Sequence, residues 1–192
     1  MDKKKKIFWI IIAIILILIT FRLLPFGTVG AGERGILLRF NAVTGKIYGE
    51  GLYFNIPIIE DVKKIDIKIQ KEQVNATAAS KDLQTVNSTI ALNFHIAADK
   101  VAKVYQQVGL AYKDRIIDPV LQEAVKASTA NFTAEELITK REAVKDQVKE
   151  LLRKKLDIHG IVVDEFNIVN FEFSKSFNEA IEAKVTAEQQ AL

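Results

Sequence analysis

Four consecutive lysines, Lys3 to Lys6, stand directly before Ile7 to Phe21, a stretch without a single charge. Nothing else in the chain limits its fold so strongly, because a helix that is apolar all round must find an apolar medium. The stretch extends to Leu24 if Arg22 reaches out to lipid headgroups. Helical rise makes Ile7 to Leu24 about 27 Å long, close to the hydrocarbon thickness of a bilayer. A cleaved signal peptide shares the basic start and apolar middle, and Val29-Gly30-Ala31 passes as a weak cleavage site. The run is long for such a peptide and dense in isoleucine. The expectation is therefore an uncleaved transmembrane anchor carried by Ile7, Phe8, Trp9, Leu16, Leu18, Phe21 and Leu24. The lysines stay cytoplasmic, which sends everything after Pro25 to the extracytoplasmic side of a single-pass protein.

Charge supports that reading and narrows the rest. The chain carries 27 basic and 24 acidic residues, a formal +3. Residues 1 to 6 hold four Lys and one Asp, so the remainder of the chain balances at 23 against 23. The basic excess is a topology signal, and no nucleic-acid partner is expected. There is no cysteine, which excludes disulfides and thiolate chemistry, and two histidines are too few for a familiar zinc site. Behind the anchor stands enough chain for one core of ordinary size.

The first half of that chain reads as strands. Ile36 to Phe40 is a short apolar run, and Ile65, Ile67 and Ile69 alternate with Asp66, Lys68 and Gln70. Val86 to Ile96 alternates more cleanly, after a polar break at Ser80-Lys81-Asp82. An antiparallel sheet with one wet face is expected. The second half switches to helical spacing. Val101, Val104, Tyr105 and Val108 share a face, closed by Gly109. Ile116, Ile117, Val120, Leu121, Ala124 and Val125 form a second stripe, in which Pro119 either follows an Asp118 cap or marks a kink. A third helix opens on a Thr133/Glu136 capping box with Phe132 and Leu137 at the staple positions, and runs to Gly160. A strand from Ile161 to Phe173 and an amphipathic helix from Lys175 complete an α+β domain.

No catalytic or cofactor site emerges. Gly30-Ala31-Gly32-Glu33-Arg34-Gly35 fits the dinucleotide fingerprint by letter, yet that site needs a strand before it and a helix after it. A flexible hinge beside the membrane is the better reading. His95 and His159 read as ordinary surface and helix-end residues. Asn75-Ala76-Thr77, Asn87-Ser88-Thr89 and Asn131-Phe132-Thr133 are formal sequons, taken as accidental. Asp61, Asp66 and Glu72 show no spacing of an acid/base pair, and no serine stands in a nucleophile elbow. Two apolar features remain. Leu52, Tyr53, Phe54 and Ile56, with Pro57-Ile58-Ile59 behind them, are an ordinary core strand and turn, a loop that dips into the membrane, or both, with alternate side chains facing core and lipid. Phe177, Ile181, Val185 and Leu192 leave a stripe that folds back or serves as an oligomer interface.

Several segments together resemble one family. They are Gly32-Glu33-Arg34-Gly35, Gly51-Leu52-Tyr53-Phe54-Asn55-Ile56-Pro57, Ser80-Lys81-Asp82-Leu83-Gln84-Thr85-Val86-Asn87, Phe132-Thr133-Ala134-Glu135-Glu136-Leu137 with Ile138 to Glu142, and Phe173-Ser174-Lys175-Ser176-Phe177 with Glu182-Ala183-Lys184. Their order resembles the prohibitin branch of the stomatin, prohibitin, flotillin and HflK/C (SPFH, band 7) superfamily. The resemblance implies a leader and anchor over 1–26, an SPFH domain over 27–174, and the start of a coiled-coil helix over 175–192. It implies a non-enzymatic scaffold, without cofactor, that forms rings or cages with like or homologous subunits on a membrane and organises membrane proteins or lipids. A regulatory subunit of an ATP-dependent, FtsH-type membrane protease is the alternative. The bacterial plasma membrane is the expected location. The family continues into a long coiled coil, whereas this chain stops at Leu192, which leaves a fragment or a reduced assembly open.

Overall fold

The computed structural model describes residues 3–22 and 25–190. Leu24 and Leu192 lie outside them, as do the side chains of Leu18, Phe21 and Val185. The chain divides into two compact units, Met1–Ile67 and Lys68–Leu192.

The first unit opens with helix α1, Lys3–Arg22. Among the described residues no helix is long and apolar enough to cross a membrane. The expected full span is not met, for a plain reason. Charge enters α1 at both ends, which leaves Ile7 to Phe21, about 22 Å of uncharged helix. Every described side chain from Ile7 to Ile17 is nevertheless exposed. Strand β1, Phe26–Val29, pairs with β4, Gly51–Phe54, in a two-stranded ribbon. A second sheet has β2, Glu33–Arg39, between β3, Ala42–Tyr48, and β5, Glu60–Asp66. Ile36, Leu37 and Leu38 are all buried, so this central strand is covered on both faces.

Two expectations change here. The glycine-rich hinge is an ordered turn between β1 and β2. Glu33 donates its N–H to the Gly30 carbonyl at 3.2 Å and accepts the Gly30 N–H on its carboxylate at 3.0 Å, while the Gly32 N–H donates to Glu50 at 3.0 Å. Gly32 sits at φ 74°, where a Cβ is disfavoured. The strand read across Ile65 to Gln70 is two strand ends. Beyond Asp66 the Ile67 N–H donates to the Gly32 carbonyl at 2.9 Å, Ile69 is exposed, and a new strand begins at Gln70.

The second unit is one antiparallel sheet with helices on its dry face. Strands β6, Gln70–Ala79, β7, Thr85–Ile96, and β8, Ile161–Phe173, stand in the order β6-β7-β8. Val86, Ser88, Ile90, Leu92, Phe94 and Ile96 are buried, which is the face that alternation marked. The third strand comes from the far end of the chain. Helix α2, Val101–Val108, ends at Gly109 as expected. A π-helical turn, Lys113–Ile117, runs directly into α3, Asp118–Thr129. Asp118 therefore caps nothing, and the irregularity at Pro119 is absorbed by the wide turn before it. The third helix is two: α4, Ala134–Thr139, and α5, Arg141–Asp157, separated at Lys140 with φ −111° and ψ 33°. The break brings the Arg141 guanidinium to the carbonyls of Ile168 and Val169, where a bulge in β8 interrupts its pairing with β7. Val144, Val148, Leu152 and Leu156 of α5 are buried, as are Leu121 and Val125 of α3, and together they build the helical side of the core. Helix α6, Lys175–Gln190, follows β8 after Ser174.

Candidate functional site

Across the β1–β4 ribbon, Phe26 faces Phe54, and their rings meet edge to face at 6.3 Å. Alternation puts Leu52 on the face of Phe54 and Tyr53 on the other. Phe26, Leu52 and Phe54 are exposed, whereas Tyr53 is half-buried and stacks on Tyr48 at 5.3 Å. Burial, helped by Asp61 and Tyr48, raises the Tyr53 phenol above its ordinary range. Of the four residues read as a dipping loop, Leu52, Phe54 and Ile56 thus point outward and Tyr53 does not.

The segment after β4 closes on itself. The Ile56 N–H donates to the Glu60 carboxylate at 2.9 Å, the Glu60 N–H returns to the Ile56 carbonyl at 2.8 Å, and Arg39 holds the same carboxylate at 2.8 Å. The Ile56 N–H, followed by Arg39, keeps the Glu60 carboxyl below its usual range. Ile58 rides on this closed turn at φ 74° and is 91% exposed. A β-branched residue at positive φ is a conformational outlier. The β2–β3 hairpin turns through Phe40 and Asn41, at φ 49° and 64°, and its Phe40 is 77% exposed. The Phe40 N–H donates to the Ile59 carbonyl at 2.8 Å, which ties the two turns together. Pattern reading missed Phe26 and Phe40 as surface residues. The one usable signal was a phenylalanine directly before Asn41 in a two-residue hairpin.

Helix α6 starts docked. The Phe177 N–H donates to the Ser174 hydroxyl at 3.2 Å, and the Phe177 ring lies 5.1 Å from that of Phe173. Phe177 and Ile181 are half-buried. Val185 and Leu192 of the same stripe lie outside the described side chains. His95 meets the Asp164 carboxylate at 2.8 Å on the wet face of the sheet, and the Nδ1 atom of His159 is buried without a partner. Among the described residues no group of three metal-ligating side chains converges.

Residues 28–192 match the model of the SPFH domain / Band 7 family. Over 164 residues the chain is 34% identical to mitochondrial prohibitin complex protein 1 of Caenorhabditis elegans and 35% identical to prohibitin 1 of Mus musculus. Those matches take in 85% of this chain and 60% of each relative. Prohibitin-7, mitochondrial, of Arabidopsis thaliana is 32% identical over 85% of this chain and 59% of its own length. The chain spans about three fifths of the length of the curated relatives it matches.

Proposed function

The chain belongs to the SPFH domain / Band 7 family and is prohibitin-like within it, and on that premise we propose a non-enzymatic membrane scaffold. Copies are held at a bilayer by α1, rest an apolar rim of the first unit in the bilayer surface, and assemble side by side into rings or cages that organise membrane proteins or lipids. The observation that carries this reading is the apolar exposure concentrated in the first unit. Phe26, Phe40, Leu52, Phe54, Ile56 and Ile58 expose apolar surface, and two of them do so from left-handed backbone. A fold that needed only to be stable in water would bury such side chains or replace them.

Helix α1 supports the same reading. Its described apolar side chains are exposed on every side, and lipid is the medium that suits them. The uncharged run is shorter than the hydrocarbon core, a mismatch that local thinning of the bilayer accommodates. The lysine run then keeps the N-terminus cytoplasmic and the two units extracytoplasmic.

Trp9 is the only tryptophan, which makes the test direct. In proteoliposomes, Trp9 emission should be quenched by brominated lipid tails. Phe54→Trp in a Trp9→Phe background should be quenched by shallow bromines and less by deep ones. An unquenched indole at position 54 would remove the rim from the membrane and this reading with it. The chain also lacks cysteine, so Lys126→Cys should react with an impermeant thiol reagent on intact cells; protection until lysis would reverse the orientation.

A further inference from the structure

Hydrogen bonding alternates along an antiparallel pair, so each residue of an edge strand turns its N–H and carbonyl either to its partner or away from the sheet. Two bonds fix that phase in β6. The Ser80 N–H donates to the Gln84 carbonyl at 2.9 Å, and the Ser88 hydroxyl donates to the Ala76 carbonyl at 3.1 Å. Ala76 faces Ser88 in the register, so the even-numbered residues of β6 are the ones bonded to β7. Lys71, Gln73, Asn75, Thr77 and Ala79 therefore direct their main-chain groups outward. All five residues are exposed, and among the described residues no hydrogen bond reaches those groups.

An open row of this kind is a template for another strand, and natural folds normally blunt it. The far edge of this sheet is blunted. Two bulges interrupt the pairing of β8, and the Arg141 guanidinium occupies the carbonyls of Ile168 and Val169. The β6 edge carries no such device. Its register with β7 is unbroken over 10 residues, it holds no proline, and Lys71 at one end is the only charge among its five outward residues.

The row also complements itself, with Asn75 at its centre. Antiparallel pairing with a second copy about Asn75 sets Lys71 against Ala79, Gln73 against Thr77 and Asn75 against Asn75, and sets Val74 against Ala76 on the other face. All five outward residues then find partners, and no like charges stand directly opposite. Building on the assembly reading above, we infer that two copies join through their β6 edges in this register. The contact is isologous and extends two three-stranded sheets into one.

Position 75 meets itself across the twofold axis, so a charge swap tests the contact with the full chain in mild detergent. The Asn75 side chain is exposed, as is its bond from the Thr89 hydroxyl. Asn75→Lys and Asn75→Asp should each melt close to the parent, and each alone should show a smaller native mass. Co-expressed in equal amounts, the two should recover the parental mass. Parental mass in both single variants, or a mixture that stays small, overturns the contact while assembly stands. A monomeric parent overturns both. Amide exchange on the parent keeps the test open if a variant fails to fold. In the assembled protein the Gln73, Asn75 and Thr77 amides should exchange slowly, and dilution to the monomer should speed them. Fast exchange at these amides in the assembly, beside slow exchange at Ile90, refutes the contact. Slow exchange without rescue by the mixed variants assigns the edge to a different strand and refutes it equally.

Discussion

Phe40, Ile58 and Leu83 all hold a left-handed backbone, and all three expose an apolar side chain. A Cβ in that region costs roughly 1–2 kcal/mol. Ile58→Gly should release that strain, offset by the greater freedom of glycine in the unfolded chain, for a net gain of about 0–1 kcal/mol. Thermal melting should show no loss, while flotation with liposomes weakens; unchanged flotation would make the strain incidental. Two carboxyls respond to pH in opposite senses. The Ser80 hydroxyl, then the Ala134 N–H, holds Asp82 below the ordinary aspartate range. Its stabilisation is present above the unfolded value and is lost as pH falls through the folded one. Burial, then Glu72 and Asp114, pushes Asp118 up, and its Oδ1 atom is buried without a partner. That carboxylate burdens the fold increasingly as pH rises through the unfolded value towards its raised one, and the burden is complete above the latter. Asp118→Asn should therefore melt higher than the parent at neutral pH and equally below about pH 3.5. A neutral-pH melt no higher than the parent would show that the carboxylate is solvated after all. Of these residues the sequence exposed little. A capping box is written in one turn of chain, so Thr133 and Glu136 were readable and both reciprocal bonds form. A leucine in left-handed backbone leaves no such local trace.

Elements were readable where one period dominates. The strand Ile161 to Phe173 and the helix closed by Gly109 stand as read. Periodicity carried straight through Lys140 because the helical stripe resumes after one residue, and only the reach of Arg141 to β8 requires the break. It also carried through Ile67 to Ile69, since no glycine or proline marks that corner. Thr133→Ala should cost about 1 kcal/mol in a melt of the second unit, through lost capping of α4. The joint after α5 is tighter. Gly160 holds φ 76°, and a Cβ there would lie 2.5 Å from the Cβ of Lys100. Gly160→Ala should exceed the capping loss, because strain and collision add. If it melts like the parent, α2 has room to yield.

At the scale of the whole molecule, the chain divides into two compact units, Met1–Ile67 and Lys68–Leu192. The second has its own sheet, helices and core, so a chain starting at Lys68 should fold alone and keep slow amide exchange in β7. Fast exchange throughout would mean that it depends on the first unit. Strand direction has a mechanical consequence for that unit. Both β6 and β8 run antiparallel to β7, so the chain enters the sheet at Gln70 and leaves it at Phe173, at opposite ends. Tension applied between Gln70 and Phe173 therefore runs along the strands. It loads the bonds of both ladders together, in shear, instead of opening them one by one. Force spectroscopy through residues 70 and 173 should need a higher rupture force than pulling through the paired Ile96 and Ile161, which peels β8 away from one end. Pulling on the two ends of this sheet thus acts along the axis on which it is strongest.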